Sequence, residues 1–223
     1  MTIQTDTIHF IKNLSQNNNR EWFQDNKATY DAALANIKTF AEAIEAGLNE
    51  KDVIEKSKTF RIYRDVRFSK NKAPYKEYFG SSFTRASAAR RGGYYLHIEP
   101  GNSFVGGGFW DPNPADLKRI RDEFAMDDKP VRKIIADKTF KKYFGNLNGD
   151  ALKTAPKGFD KEHPAIDLIR MKQFVVSRQF SDEEVTHKSF KNEVLKTYDA
   201  MRPFFDYMSE VLTTDLNGVS LIG

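Results

Sequence analysis

Residues 93–110 read GYYLHIEPGNSFVGGGFW, the clearest strand–turn–strand pattern in the chain. Two runs rich in aromatic and aliphatic side chains, Tyr94–Ile98 and Ser103–Trp110, flank a short polar segment. Within that segment, Pro100 and Gly101 suit the central positions of a type II turn. The pattern predicts an antiparallel β-hairpin, because a connection this short joins strands that run in opposite directions.

Three consecutive glycines, Gly106, Gly107 and Gly108, lie inside the second arm of this hairpin. Glycines weaken a strand, so they predict a bulge or a close approach by another backbone or a ligand. Their N–H groups could also cradle phosphate. However, no Lys-Ser/Thr pair follows them as in a P-loop, and the order strand–glycine loop–helix of a dinucleotide site is missing. We therefore favour a bulge packed against Trp110, and we predict no cofactor.

Further strands are predicted on both sides of the hairpin. Phe60–Phe68 and Phe174–Phe180 alternate in the period of a strand, and Phe79–Thr84 predicts a shorter one. Strands in succession, with long helices at both ends, are typical of the α+β class. We expect one α+β domain over residues 1–223, with a largely antiparallel sheet packed against long N- and C-terminal helices.

Those long helices follow from helical spacing and capping residues. Apolar residues recur every seven positions from Phe23 to Ile44, after a cap at Asn18 or Asn19. Phe190–Leu212 has the apolar spacing of the final helix. Shorter helices are predicted after Asn113, which precedes Pro114, and after Ser181, which forms a capping box with Glu184.

Composition excludes several classes of protein. The chain has 223 residues and no cysteine, which excludes disulfides, thiolate metal sites, thiol nucleophiles and iron–sulfur clusters. Mean hydropathy is −0.63, and no apolar run approaches the roughly 18 residues of a membrane span. The N-terminus lacks the basic-then-apolar layout of a signal peptide. We therefore expect a cytoplasmic protein without membrane contact.

Charge is unevenly distributed along the chain. The net charge is only +4, but Lys56–Arg91 holds eleven basic and two acidic residues, a net charge of +9. The remainder carries a net charge of −5. If these cations converge in space, their field favours an anionic partner. If they are spread over a solvated face or used in ion pairs, the asymmetry has no functional meaning.

The centre of this basic segment reads FRIYRDVRFSKNKAPYK, residues 60–76. It resembles the signature of a sparsely distributed, mainly bacterial family that is catalogued only as a domain of unknown function. The matching residues are Arg61, Arg64, Asp65, Arg67, Phe68, Asn71, Lys72 and Tyr75. NNNREWFQDNK near the start, the hairpin segment and LKTAPKGFDKEHP at 152–164 also resemble the family, so the likeness spans most of the chain. The resemblance implies no activity, substrate or cofactor.

The basic segment supplies the candidate site. Arginine binds phosphate or carboxylate through its planar fork, so convergent arginines make an anion site. We predict binding of a phosphorylated or other anionic small molecule around Arg61, Arg67 and Lys72. Arg64, Asp65, Tyr75, Lys153 and His163 complete the predicted set of ligand-binding residues. In this set, Asp65 would orient a guanidinium, and Lys153 and His163 would come from the 152–164 connection.

Two other interpretations remain open. In the first, the motif is a buried Arg–Asp network that only stabilises the fold of a structural or interaction protein. Arg64 lies among apolar neighbours and would then need a carboxylate or carbonyl partner. In the second, the partner is nucleic acid, because the segment mixes cations with aromatic residues that can stack on single-stranded bases. The modest net charge and the absence of a known nucleic-acid-binding signature favour a small ligand.

Few features of the sequence indicate catalysis. The four histidines, at positions 9, 97, 163 and 187, show no HExxH or comparable metal-binding spacing, so no metal is predicted. No G-x-S-x-G elbow indicates a hydrolytic serine. His97 and Glu99 lie two apart on a predicted strand and therefore share a face. If the protein is an enzyme, His97 or His163 is the first acid–base candidate, because histidine titrates near neutral pH.

Overall fold

The protein is described by a computed structural model of residues 1–222. A five-stranded antiparallel sheet has its strands in chain order. The strands are β1 (Ile54–Thr59), β2 (Phe79–Arg85), β3 (Gly93–Ile98), β4 (Ser103–Phe109) and β5 (Phe174–Phe180). The predicted α+β class with a largely antiparallel sheet is confirmed.

Nine helices accompany the sheet within residues 1–222. Three precede β1: α1 (Thr5–Gln16), α2 (Arg20–Asp25) and α3 (Lys27–Leu48). Four lie between β4 and β5: α4 (Pro114–Met126), α5 (Lys129–Ala136), α6 (Lys138–Phe144) and α7 (Ile166–Ile169). Two follow β5: α8 (Asp182–Thr186) and α9 (Phe190–Thr213). The Asn113 cap and the capping box of Ser181 with Glu184 are both confirmed.

The predicted hairpin is confirmed as β3 and β4. The Asn102 N–H donates to the Glu99 carbonyl oxygen at 3.0 Å and closes the turn. Gly101 has φ +75°, the conformation that a type II turn requires at its third residue. The turn therefore fixes which side chains of the two strands face each other.

The glycine run in β4 serves close packing. A Cβ at Gly108 would meet the Phe174 carbonyl oxygen and the Val175 Cα of β5. A Cβ at Gly107 would lie 2.8 Å from the Phe205 ring. Close approach by another backbone is thus confirmed at Gly108. Packing of the run against Trp110 is wrong, since that side chain is 69% exposed.

The single long N-terminal helix predicted from Asn19 onward is interrupted. Asn19 does cap a helix, accepting a hydrogen bond from the Trp22 N–H at 2.9 Å, but α2 ends at Asp25. The Asn26 side chain donates to the Trp22 carbonyl oxygen at 2.9 Å. Such local side-chain bonds compete with the helical backbone pattern, which accounts for the break before α3.

The strand predicted over Phe60–Phe68 is wrong, because β1 ends at Thr59. Residues 61–76 instead pair with themselves as an irregular hairpin, which we call the basic arm. Its base is an antiparallel bridge between Tyr63 and Tyr75. The Arg64 N–H donates to the Pro74 carbonyl oxygen at 2.9 Å, and the Lys76 N–H donates to the Ile62 carbonyl oxygen at 2.7 Å. The Asn18 side chain also accepts from the Tyr75 N–H at 3.2 Å and donates to the Tyr75 carbonyl oxygen at 3.0 Å, so the base of the arm is held without a neighbouring strand.

The chain divides into two compact units. The first unit comprises Met1–Phe83, Tyr95–Val105 and Gln179–Lys196. The second comprises Thr84–Tyr94, Gly106–Arg178 and Thr197–Gly223. One domain over residues 1–223 therefore stays a prediction.

Each unit has an aromatic core of its own. In the first unit, Phe23 stacks on Tyr75 with ring centroids 4.0 Å apart and contacts Tyr30 at 5.0 Å. In the second unit, Tyr94 contacts Tyr198 at 4.8 Å and Phe205 at 5.0 Å. Large buried rings remove much apolar area from water, so these clusters anchor the elements that carry them.

Candidate ligand site

Asp65 and Arg67 of the predicted site form an ion pair at the tip of the basic arm. Arg67 Nη2 lies 2.6 Å from Asp65 Oδ2, and the two side chains are 76% and 51% exposed. The hydrogen bonds from Arg67 lower the pKa of Asp65. Exposed pairs contribute little to stability, so this pair shapes the arm and leaves the core unaffected.

Other predicted residues of the arm have separate environments. Lys72 Nζ donates to the Val66 carbonyl oxygen at 3.0 Å across the arm tip. Tyr75 is 4% exposed and belongs to the aromatic core. Arg64 is half-buried, but its guanidinium makes no hydrogen bond or ion pair within residues 1–222. The partner expected for Arg64 is therefore missing from the described chain.

Lys153 and His163 lie in the second unit, whereas the basic arm lies in the first. Lys153 is exposed. His163 Nδ1 accepts a hydrogen bond from the Ala165 N–H at 3.1 Å, a local bond just before α7. Of the predicted residues, only Arg61 lies beside Lys58 and Lys76 near the Phe60 ring, and ligand contact at the other positions stays a prediction.

A chain of hydrogen bonds runs along β3 into the turn that follows it. Tyr95, His97 and Glu99 alternate along the strand and share a face, as predicted for the last two. Tyr95 Oη lies 3.2 Å from His97 Nδ1, and His97 Nε2 lies 2.9 Å from Glu99 Oε2. Asn102 Nδ2 donates to the same carboxylate oxygen at 2.7 Å. Because a carboxylate only accepts, Nε2 carries the imidazole proton, and Nδ1 accepts from the Tyr95 hydroxyl.

Aromatic rings surround this hydrogen-bond chain. The His97 ring stacks on Phe104 at 4.7 Å and contacts Tyr78 at 4.3 Å. Tyr95 contacts the Phe60 ring at 6.4 Å. The Tyr95 hydroxyl also lies directly over Gly80, where a Cβ would come within 2.6 Å of it. Glycine at that position therefore makes room for the tyrosine.

Three cations converge beside these rings, and we call Lys58, Arg61 and Lys76 the cation cluster. Lys58 Nζ lies 5.4 Å and Lys76 Nζ 5.5 Å from the centre of the Phe60 ring. Lys76 Nζ is also 5.9 Å from the centre of the Tyr78 ring. Within residues 1–222, none of the three side chains forms an ion pair with a carboxylate.

Burial and like charge alter the electrostatics of the cluster and its neighbours. Desolvation lowers the pKa of Lys76, and the positive charges of Arg61 and Lys58 lower it further. Burial raises the pKa of Tyr95 to about 12. Burial also lowers the pKa of His97, although the hydrogen bond to Glu99 opposes this. At neutral pH the site thus combines cations with a neutral tyrosine and a neutral imidazole, a grouping of perturbed residues typical of functional sites.

The lowered pKa of His97 predicts acid sensitivity. The unfolded chain binds a proton near pH 6.5, whereas the folded chain binds it only at lower pH. Below about pH 6.5 the unfolded state therefore holds more protons, and the stability contributed by neutral His97 is lost as the pH falls. Between about pH 7.5 and 5.5, we expect the Tm of the wild-type protein to fall more steeply than that of His97→Gln. Thermal unfolding across this range measures both slopes.

A second histidine variant is the control for this experiment. His187 is exposed, so His187→Gln should keep the wild-type slope. Equal slopes for the wild-type protein and His97→Gln would show that His97 is protonated equally easily in the folded and unfolded chains.

The sequence contained part of the signal for this site. The spacing of His97 and Glu99 on a strand was visible, and Tyr95 lies two residues earlier. Lys58 and Lys76 belong to the basic segment, but neither was among the predicted ligand-binding residues. Their convergence on Phe60 depends on the Tyr63–Tyr75 bridge, a pairing that no short sequence motif predicts.

Neither a spanning helix nor a metal cluster is found in the described part of the chain. No helix of residues 1–222 combines the length and apolarity needed to cross a membrane. In the same residues, no group of three or more His, Cys, Asp or Glu side chains could hold a metal ion.

Comparison with known proteins gives one match. No curated protein and no solved structure matches the chain. A protein family described as a conserved hypothetical protein, DUF2461, matches residues 6–207, which include the basic arm, all five strands and most of α9. This match confirms the resemblance to a domain-of-unknown-function family. The chain belongs to the DUF2461 family of conserved hypothetical proteins.

Proposed function

We propose that the protein binds a phosphorylated or otherwise anionic small molecule at the cation cluster. The observation that carries this proposal is the convergence of Lys58, Arg61 and Lys76 without a carboxylate partner in residues 1–222. Like charges held close together at a partly desolvated position repel one another. A bound anion removes that repulsion and gains attraction from all three cations.

The neighbouring rings suggest which kind of anion is bound. Phe60 and Tyr78 lie beside Lys76, and an aromatic surface of this kind can stack on a planar group. A ligand with a phosphate or carboxylate attached to a planar group would use both the cations and the rings.

The alternative of a purely structural Arg–Asp motif has less support. The Asp65–Arg67 pair is mostly exposed, and Arg64 has no ion-pair partner in residues 1–222. Such a pair stabilises a fold only weakly. The motif therefore retains charge that a ligand can use.

Thermal shift against a panel of anions tests the proposal. The panel contains inorganic phosphate, sugar phosphates, nucleoside monophosphates and aromatic carboxylates. A ligand present at a hundred times its Kd adds about 2.7 kcal/mol, which raises the Tm by about 5–10 °C for a chain of this length. We expect Lys76→Met to abolish this shift, because methionine keeps the apolar stem but removes the charge.

The apo form of the variant separates loss of binding from loss of folding. Lys76→Met removes a repelled, half-buried cation, so its Tm without ligand should equal or exceed that of the wild-type protein. Lys12→Met, at an exposed position of α1, should retain the ligand-induced shift. A panel without any shift, or a shift that persists in Lys76→Met, would contradict the proposal.

A further inference from the structure

The tip of the basic arm displays an aromatic ring among cations. Phe68 is 96% exposed, the most exposed of the large hydrophobic residues in residues 1–222. Arg67, Lys70 and Lys72 are exposed on the same short segment. Residues 61–76 contain six basic residues and one acid, Asp65, and residues 66–76 contain no acid at all.

Hydrogen bonds within the arm hold this tip in shape. The Arg67 N–H donates to Asp65 Oδ1 at 3.2 Å, and the Ala73 N–H donates to Asn71 Oδ1 at 2.9 Å. The bond from Lys72 Nζ to the Val66 carbonyl oxygen crosses the tip. Asp65 occupies Nε and Nη2 of Arg67, whereas Nη1 makes no hydrogen bond within residues 1–222. The Phe68 ring is thus presented to solvent by an ordered loop.

We propose that the arm tip binds single-stranded nucleic acid. Phe68 would stack on an unpaired base, and Arg67, Lys70 and Lys72 would contact the backbone phosphates. Exposed rings beside cations suit this ligand because every base has an aromatic face and every nucleotide carries a charge. This inference goes beyond the proposed function, because it uses none of the three residues of the cation cluster.

A second ring along the arm favours an extended strand over a membrane surface. Tyr63, at the base of the arm, is 46% exposed, so rings are available at both ends of the arm. A flat lipid surface would receive only the tip, where Phe68 is the one large apolar side chain with high exposure. A lone apolar anchor gives weak, reversible membrane attachment. A nucleic acid strand can follow the arm along its length.

Fluorescence anisotropy with labelled oligothymidine and oligouridine, each about 20 nucleotides long, tests this inference. We expect saturable binding that weakens with salt, with a slope of about −2 in log K against log salt for three phosphate contacts. Phe68→Ala should weaken binding by about 5- to 150-fold, the range expected for loss of one stacked base. Its Tm should stay at the wild-type value, because the ring is exposed.

Matched variants separate this surface from the cation cluster. Trp110→Ala removes another exposed aromatic ring and should leave the oligonucleotide affinity unchanged. Lys76→Met should abolish the small-anion shift but weaken oligonucleotide binding less than Phe68→Ala does, since Lys76 lies at the base of the arm and outside the tip. Phe68→Ala should keep the small-anion shift and weaken oligonucleotide binding. Either proposal can therefore fail while the other stands.

Four results would overturn the nucleic-acid inference. One is the absence of oligonucleotide binding at low salt. A second is equal affinity of the wild-type protein and Phe68→Ala. A third is equal affinity for duplex and single strand, which would mean that no base stacks. The last is Phe68-dependent sedimentation with phosphatidylserine vesicles while oligonucleotides fail to bind, which would assign the tip to a membrane.

Discussion

Replacing Gly108 with alanine is expected to lower the free energy of unfolding by about 3–5 kcal/mol, through overpacking and backbone strain together. Gly108 has φ +134°, a conformation that residues with a side chain rarely adopt. A Cβ there would overlap the Phe174 carbonyl oxygen and lie 2.8 Å from Val175 Cα. Both atoms belong to the main chain of β5, so no side-chain rotation can relieve the contact. Urea unfolding of the variant measures the loss.

Gly101 provides the matched control for Gly108. It also has a positive φ, +75°, but a Cβ there would meet no atom within 4 Å. Gly101→Ala should therefore cost only the conformational strain, about 1 kcal/mol. If both variants lose the same stability, backbone strain alone explains Gly108 and the close approach of β5 contributes nothing.

Features set by a few adjacent residues could be predicted from the sequence. The turn at Pro100 and Gly101, the cap at Asn113 and the capping box at Ser181 depend on local backbone geometry, and each is present. The glycine run correctly signalled a close approach. Its partner could not be predicted, because β5 lies more than sixty residues further along the chain.

The basic arm shows where local patterns are ambiguous. Alternation of apolar and charged residues over 60–68 is compatible with a strand in the sheet and with a self-paired hairpin. The choice depends on Tyr75, which returns to pair with Tyr63 and stack on Phe23. The contact of Tyr75 with a helix fifty residues earlier cannot be recognised from any short stretch of sequence.

The same limit applies to the candidate site. Arg61 was among the predicted site residues. Its neighbours Lys58 and Lys76 are brought to it by the pairing within the arm and by the position of Phe60. His97 and Glu99 were correctly placed on one face. The structure shows them hydrogen-bonded to each other at 2.9 Å, with Tyr95 completing the chain.

A buried arginine with a carboxylate partner lies elsewhere in the chain. A buried Arg–Asp network around Arg64 was one interpretation that the sequence left open, but the arginine with that environment is Arg85, whose side chain is 4% exposed. Arg85 Nη2 lies 2.6 Å from Asp206 Oδ1, and Nη1 lies 3.2 Å from the Arg91 carbonyl oxygen. Arg85 ends a strand whose alternate residues are buried, and its pairing partner lies on α9, so only tertiary structure shows the bond.

Replacing Arg85 with alanine is expected to cost about 2–4 kcal/mol, because the variant loses charge-assisted hydrogen bonds and leaves a cavity where the stem was packed. This corresponds to a fall in Tm of about 4–16 °C. The guanidinium also lies 5.5 Å from the centre of the Phe205 ring, a contact that alanine cannot make. Thermal and urea unfolding measure the loss.

Two matched variants show which part of the Arg85 side chain stabilises the second unit. Asp206 is 59% exposed, so Asp206→Asn should cost less than Arg85→Ala, because the exposed carboxylate gains little from the pair and the amide oxygen can still accept from the buried guanidinium. Arg64→Ala, at an arginine without a side-chain partner in residues 1–222, should also cost less than Arg85→Ala. If Asp206→Asn destabilises as much as Arg85→Ala, the charge pair is the dominant contribution. If all three variants lose equally little stability, burial of the Arg85 stem and its bond to the Arg91 carbonyl oxygen do not stabilise the second unit, and the expected loss for Arg85→Ala is wrong.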